Sequence, residues 1–155
     1  LESYRKNQYQ EFGIEHEFVQ DNHSHSERGV LRGLHFQIKK PQGKLVRVTS
    51  GSVYDVALDV NPDSDTYGQH VGVELSAENH RMFWVPPGYA HGFLVVSEGA
   101  DFQYKCTEYY DPQDEGGVIW NDPDIAIDWP DLEPKLSDKD AILPTLSDYT
   151  GFKVK

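Results

Sequence analysis

Between residues 30 and 120 the chain alternates apolar and polar positions in short runs, with turn-forming residues between them. The clearest run is 54–60, where Tyr54, Val56, Leu58 and Val60 alternate with Asp55, Ala57 and Asp59, the period-two signature of a strand with two unlike faces. Similar runs cover 30–37, 44–50, 70–75, 81–85, 90–96, 102–109 and 117–120, divided by turn signals such as Pro41-Gln42-Gly43, Asn61-Pro62-Asp63 and Pro86-Pro87-Gly88. Many short strands at this spacing predict an all-β sandwich, jelly roll or barrel. Residues 1–12 are polar and compatible with a helix, and 14–22 reads as a first strand. After Trp120 the pattern breaks at Pro123, Pro130, Pro134 and Pro144. One short helix is expected near Ser137–Ala141, capped by Ser137, in a tail that wraps the sheets.

With 155 residues, 37% hydrophobic and 26% charged, the chain is expected to fold as one domain with a sizeable core. Fourteen Lys and Arg against 26 Asp and Glu give a formal charge of −12, which argues against nucleic acid or an anionic membrane surface as a partner. An anionic ligand therefore needs a local basic cluster. A single cysteine, Cys106, forms no internal disulfide, so a reducing cytoplasm is the expected compartment. No apolar run approaches the roughly 18–20 residues of a membrane span, and Leu1-Glu2-Ser3-Tyr4-Arg5-Lys6 is too polar for a signal peptide.

The charge map changes this picture locally. Arg28, Arg32, Lys39, Lys40, Lys44 and Arg47 fall in a window, 28–47, that holds no acidic residue. Ordinary surface lysines or a phosphate or carboxylate site would both read this way. Inside the window, strand parity puts Gly33, His35 and Gln37 on one face, and the missing side chain of Gly33 leaves room beside the imidazole. A lone strand histidine is more often a hydrogen-bonded core or surface residue than a catalyst. The tyrosines of 102–110 are similarly open to a packing role. His23-Ser24-His25 has a spacing that can place two imidazoles together, but it lies in a polar stretch, Asn22–Glu27, that reads as a loop, and no metal site is expected there. Nucleophile elbows, P-loops and dinucleotide fingerprints are missing from the sequence. Acid–base work by His, Tyr, Lys and carboxylates remains.

Several strings together resemble the dTDP-4-dehydrorhamnose 3,5-epimerase family. They are Gln20-Asp21-Asn22-His23-Ser24, Val30-Leu31-Arg32-Gly33-Leu34-His35-Phe36-Gln37, Gln42-Gly43-Lys44-Leu45-Val46-Arg47-Val48 and Asp55-Val56-Ala57-Leu58-Asp59. Further on come Leu75-Ser76-Ala77-Glu78-Asn79, Trp84-Val85-Pro86-Pro87-Gly88-Tyr89-Ala90-His91-Gly92-Phe93, Tyr104-Lys105-Cys106-Thr107-Glu108-Tyr109-Tyr110 and Leu136-Ser137-Asp138-Lys139-Asp140. The blocks run in order along nearly the whole chain.

The resemblance implies a cupin-like antiparallel jelly roll with a short helical C-terminal tail, a homodimer, no metal or other cofactor, and a dTDP-sugar substrate in the barrel mouth. It implies inversion of C3 and C5 of dTDP-4-dehydro-6-deoxy-glucose, both beside the C4 ketone. His35 matches the base, Asp140 the carboxylate paired with it, Tyr104 the acid on the opposite face, and Lys44 the cation at the C4 oxygen. A neutral imidazole, with a reference pKa near about 6.5, can accept a proton at neutral pH, whereas a phenol near about 10 keeps its own. Glu2, Gln20, Asp21, Asn22, Arg32, His91, Glu115 and Lys139 match binding positions. Tyr110 matches a tyrosine that stacks on thymine, a contact worth roughly 1–3 kcal/mol by analogy with other base–aromatic stacks.

Two features depart from the pattern. Arg32 has the wrong strand parity to share a face with His35, so either a bulge at Gly33 or a reach around the strand edge is expected. Glu2-Ser3-Tyr4 resembles the end of a family segment whose preceding strands and ligand-binding arginine are not in this chain, so the single domain 1–155 is expected to lack those first strands. A relative that epimerises only C3 or C5, or a 3,4-ketoisomerase, would share much of the motif set. A non-catalytic carbohydrate-binding jelly roll would need Tyr54, Tyr104 and Tyr110 as a sugar platform and leaves Lys44 and Asp140 without a role.

Overall fold

The structure, a computed structural model, describes residues 1–149; the last six residues of the expected domain lie outside the described residues. In chain order it comprises α1 (Lys6–Glu11), β1 (Gln20–Glu27), β2 (Leu31–Gln37), β3 (Lys44–Ser50), β4 (Ser52–Asp59), β5 (His70–Ser76), β6 (Met82–Val85), β7 (Tyr89–Val95), β8 (Gly99–Cys106), β9 (Glu115–Gly117) and α2 (Asp138–Ala141). Two antiparallel sheets form, one ordered β1-β8-β3-β6 and the other β5-β4-β7-β2-β9. This is the jelly-roll sandwich expected from the alternation.

Between the sheets, side chains from both inner faces make one apolar layer. Val46, Val48 and Phe102 of the four-stranded sheet meet Val53, Phe93 and Val95 of the five-stranded one. The rings of Phe93 and Phe102 stack with centroids 4.3 Å apart. A second apolar cluster, including Leu34, Phe36, Val56 and Leu58, has Leu146, Ile125, Ile127 and Trp129 of the tail against it. The tail thus covers the other face of the five-stranded sheet, and β4 is almost wholly buried.

Two readings of the sequence are corrected. The first strand is Gln20–Glu27 rather than 14–22, so His23-Ser24-His25 lies in a strand and not in a loop. This strand sits at a sheet edge and alternates partly buried with exposed positions, so no apolar period announces it. Two boundaries also move: β8 is Gly99–Cys106 and β9 is Glu115–Gly117, each several residues earlier than the apolar runs suggested. Asp55, which alternates with the apolar positions of β4, is fully buried and its carboxyl group hydrogen-bonds to His91 Nε2.

The expected irregularity at Gly33 is present: pairing of β2 with β7 shifts register between Arg32 and His35. Gly33 has φ +124, and a Cβ there would come within 2.6 Å of the Gly92 Cα. Only glycine allows the two strands to approach so closely at this bend. The tail is then pinned to the start of β2. Leu31 N–H donates to the Lys135 carbonyl at 3.0 Å and Lys135 N–H to the Gly29 carbonyl at 2.7 Å. Two residues later Ser137 caps α2, its hydroxyl accepting from Asp140 N–H. A helix of four residues has little stability of its own, so this pinning and cap determine where Asp140 points.

Candidate active site

The open end of the sandwich forms a cleft of about 620 Å³ whose lining draws on both sheets and on the tail. His35 comes from β2 and His91 from β7 on one side; Lys44 from β3 and Tyr104 from β8 face them; Lys139 and Asp140 arrive on α2. Arg32, Tyr110 and Glu115 complete the part of the lining that the sequence singled out. The bulge at Gly33 lets Arg32 and His35 border the same cleft despite their parity.

His35 Nε2 lies 2.6 Å from Asp140 Oδ1, and Asp140 Oδ2 accepts the Gly33 N–H at 3.1 Å. Burial opposes ionisation of Asp140, yet the bond and charge of His35 and the Gly33 amide outweigh it, holding the carboxyl below its usual range. An ionised carboxylate can only accept, so in the neutral imidazole Nε2 carries the proton and Nδ1 the lone pair. That is the tautomer a base needs. On the opposite side of the cleft, burial raises Tyr104, with Cys106 reinforcing it while Asn22 and Arg32 partly counter. The phenol therefore stays protonated at neutral pH.

Lys44 is pushed below its ordinary value by burial, against the pull of Cys106, Glu115 and Asp55. Its Nζ lies 5.8 Å from the centre of the Tyr104 ring. Cys106, beside it in the strand register, is pushed up to about 11, chiefly by burial, and so remains a neutral thiol. His91 Nε2 donates to Asp55 Oδ1 at 2.8 Å. Asp55 is a site residue that sequence reasoning missed; the available signal was a carboxylate alternating with apolar residues in a strand whose two faces are both covered.

Four of the positions carried over by resemblance are not brought into the cleft. Glu2 pairs with Arg5 at 3.9 Å in the N-terminal segment. Asp21 turns to Lys105, 3.0 Å away. Gln20 reaches the rim only, where its Oε1 accepts from Tyr110 N–H at 3.1 Å. Asn22 sits opposite Tyr104 in the sheet and donates to the Cys106 sulfur at 3.8 Å. Outside the cleft, His25 Nδ1 and His23 Nε2 lie 2.9 and 3.7 Å from Asp101 Oδ1. Among the described residues no cluster of three or more His, Cys, Asp or Glu is arranged to hold a metal ion.

The depressed acidity of Asp140 has a consequence for stability. A carboxyl whose folded value lies below its unfolded one stabilises the fold fully above the unfolded pKa, about 3.9, and loses that contribution as pH falls through the folded value. The difference in urea midpoint between the protein and Asp140→Asn is therefore expected to be widest above about pH 5 and to close toward about pH 2. A difference independent of pH would show that Asp140 contributes by packing alone.

The family model described as dTDP-4-dehydrorhamnose 3,5-epimerase matches residues 1–148. A dTDP-4-dehydrorhamnose 3,5-epimerase of Methanothermobacter thermautotrophicus is 57% identical over 130 residues, 84% of this chain and 70% of that one. One from Pseudomonas aeruginosa is 55% identical over 142 residues, 90% and 78% of the two chains. The crystal structure of dTDP-6-deoxy-D-glucose-3,5-epimerase from Legionella pneumophila in complex with dTDP-4-keto-L-rhamnose superposes with a TM-score of 0.91 at 53% identity, covering 94% of this chain and 79% of that one. A histidine bonded to a buried carboxylate, a protonated phenol across the cleft and a buried lysine beside it thus occur in a chain that belongs to the dTDP-4-dehydrorhamnose 3,5-epimerase family.

Proposed function

We propose that this chain epimerises dTDP-4-dehydro-6-deoxy-glucose at C3 and C5 to give dTDP-4-dehydro-rhamnose. The observation that carries the reading is the opposition of His35, held by Asp140, to Tyr104 across one cleft. In the forward step the C–H bond next to the ketone breaks, its proton goes to His35 Nδ1, and its electron pair becomes an enolate. The C4 oxygen, now anionic, lies against Lys44, whose charge in a water-poor site favours the enolate over the ketone. Tyr104 then delivers its phenolic proton to the opposite face of the carbon, which inverts it. Repetition at the second carbon completes the reaction. Arg32 and Lys139 supply positive charge for the diphosphate, and Tyr110, half exposed at the mouth, offers a face for thymine.

Neither half of this chemistry requires a metal or a redox cofactor, because the ketone already makes both protons acidic. The assembly is read as a homodimer and the compartment as the cytoplasm, on the family resemblance and the single buried cysteine. No helix among the described residues is long and apolar enough to cross a membrane.

Incubation with dTDP-4-dehydro-6-deoxy-glucose in heavy water, followed by NMR, tests the reading. Deuterium at both C3 and C5 of an inverted product is expected. Deuterium at one position alone would assign a single-position epimerase instead, and none at either would overturn the function.

A further inference from the structure

Double inversion sets a proton-counting requirement. Each inversion leaves His35 with one proton too many and Tyr104 with one too few, so a second abstraction cannot begin until His35 is emptied. Asp140 is not an exit: it is buried at 3% exposure, and both of its oxygens already accept hydrogen bonds, from His35 Nε2 and from Gly33 N–H. The other ring nitrogen has a neighbour of a different kind. His35 Nδ1 lies 3.5 Å from Glu115 Oε1.

We propose that Glu115 is a positioning residue that empties His35 between the two inversions, accepting the abstracted proton from Nδ1 and releasing it at the cleft mouth. This rests on the epimerase reading above. The two oxygens of Glu115 are differently engaged. Tyr110 Oη and Lys139 Nζ both donate to Oε2, each at 2.8 Å, which leaves Oε1 turned to the imidazole. The side chains of His35, Glu115 and Lys139 are 26%, 9% and 58% exposed; a sugar seated against Nδ1 would cover the imidazole's own opening to the cleft, and this one carboxylate then links the base to Lys139 at the solvent.

In the step, the Nδ1–H bond breaks and an O–H bond forms on Oε1, returning the lone pair to the imidazole. Water at the mouth then takes the proton, restoring the carboxylate, and solvent in the cleft returns one to the Tyr104 phenolate before the second delivery. Burial works against ionisation of Glu115, but the bonds from Lys139 and Tyr110 and the charge of His35 outweigh it and hold the carboxyl below its ordinary range. A proton therefore passes through Glu115 without resting there. The same side chain bonds the tyrosine proposed to meet thymine, so a bound nucleotide would keep Oε1 aimed at the base.

Glu115→Gln separates this role from a structural one, because the amide oxygen still accepts from Tyr110 and Lys139 but the amide takes no proton. The readout is the ratio of doubly to singly deuterated product in the first turnovers, in heavy water, with saturating dTDP-4-dehydro-6-deoxy-glucose. A ratio at least about fivefold below that of the unmodified protein is expected, because the singly inverted species dissociates before His35 is reset. Formate added to Glu115→Ala is expected to restore the ratio. Weaker binding of the singly inverted species would also lower the ratio, but formate would not then restore it.

An unchanged ratio in Glu115→Gln, or no recovery with formate, would overturn the relay. If the unmodified protein itself incorporates no deuterium, the epimerase reading fails instead.

Discussion

His35→Ala is expected to abolish epimerisation and deuterium incorporation alike, at C3 and at C5. Every route to the product begins with removal of a proton beside the ketone, and no enolate forms without it. Acid–base groups of this kind contribute about 10²–10⁴-fold each, and removing the one that starts the reaction costs the whole of that factor. The phenol of Tyr104 cannot substitute, since burial keeps its proton on. Asp140 cannot either, because its carboxylate is directed at the space the imidazole leaves. The measurement is NMR of the sugar signals in heavy water over long incubation. Persistent exchange at either carbon would show that another group is the base, whatever the family.

Tyr104→Phe should behave differently, and the difference is diagnostic. The ring and its packing near Phe102, at 5.7 Å between centroids, are retained, while the phenolic proton is lost. Abstraction by His35 continues, and some enolates are reprotonated by the same histidine on the original face. Deuterium then enters recovered starting material faster than product forms. A fall in inversion of about 10²-fold or more, with a smaller fall in exchange, is expected from the loss of a general acid. Inversion at the unmodified rate would remove Tyr104 from the mechanism.

What the chain reveals before folding follows from how each segment is buried. The runs 44–50, 70–75 and 81–85 coincide closely with β3, β5 and β6, each having positions whose apolar character repeats with the pleat. Gln20–Glu27 escapes the same test because it is a polar edge strand. Asp55 escaped notice for a subtler reason. Alternation correctly separates the two faces of β4 but not which one is inside, and here the tail covers the apolar face while the carboxylate face looks into the sandwich.

At the site, His35 and Asp140 are 105 residues apart, a distance no periodicity bridges. Family resemblance brought them together on paper, and the pinning of Lys135 and the Ser137 cap bring them together in space. Resemblance alone was a weaker guide at the edges. Glu2 and Asp21 match binding positions by motif, yet both are engaged with basic side chains away from the cleft.

Base and acid stand on different sheets, His35 on β2 and Tyr104 on β8. The span between them is consequently fixed by the thickness of the oily layer under the cleft, in which Phe93 and Phe102 lie flat against each other. Packed interiors yield little to compression, so this stack works as a spacer gauge, setting how wide a sugar ring can be gripped from both faces at once. Selection on the reaction would then act on packing as well as on contact: a methylene lost from the layer closes the jaws, and one gained opens them.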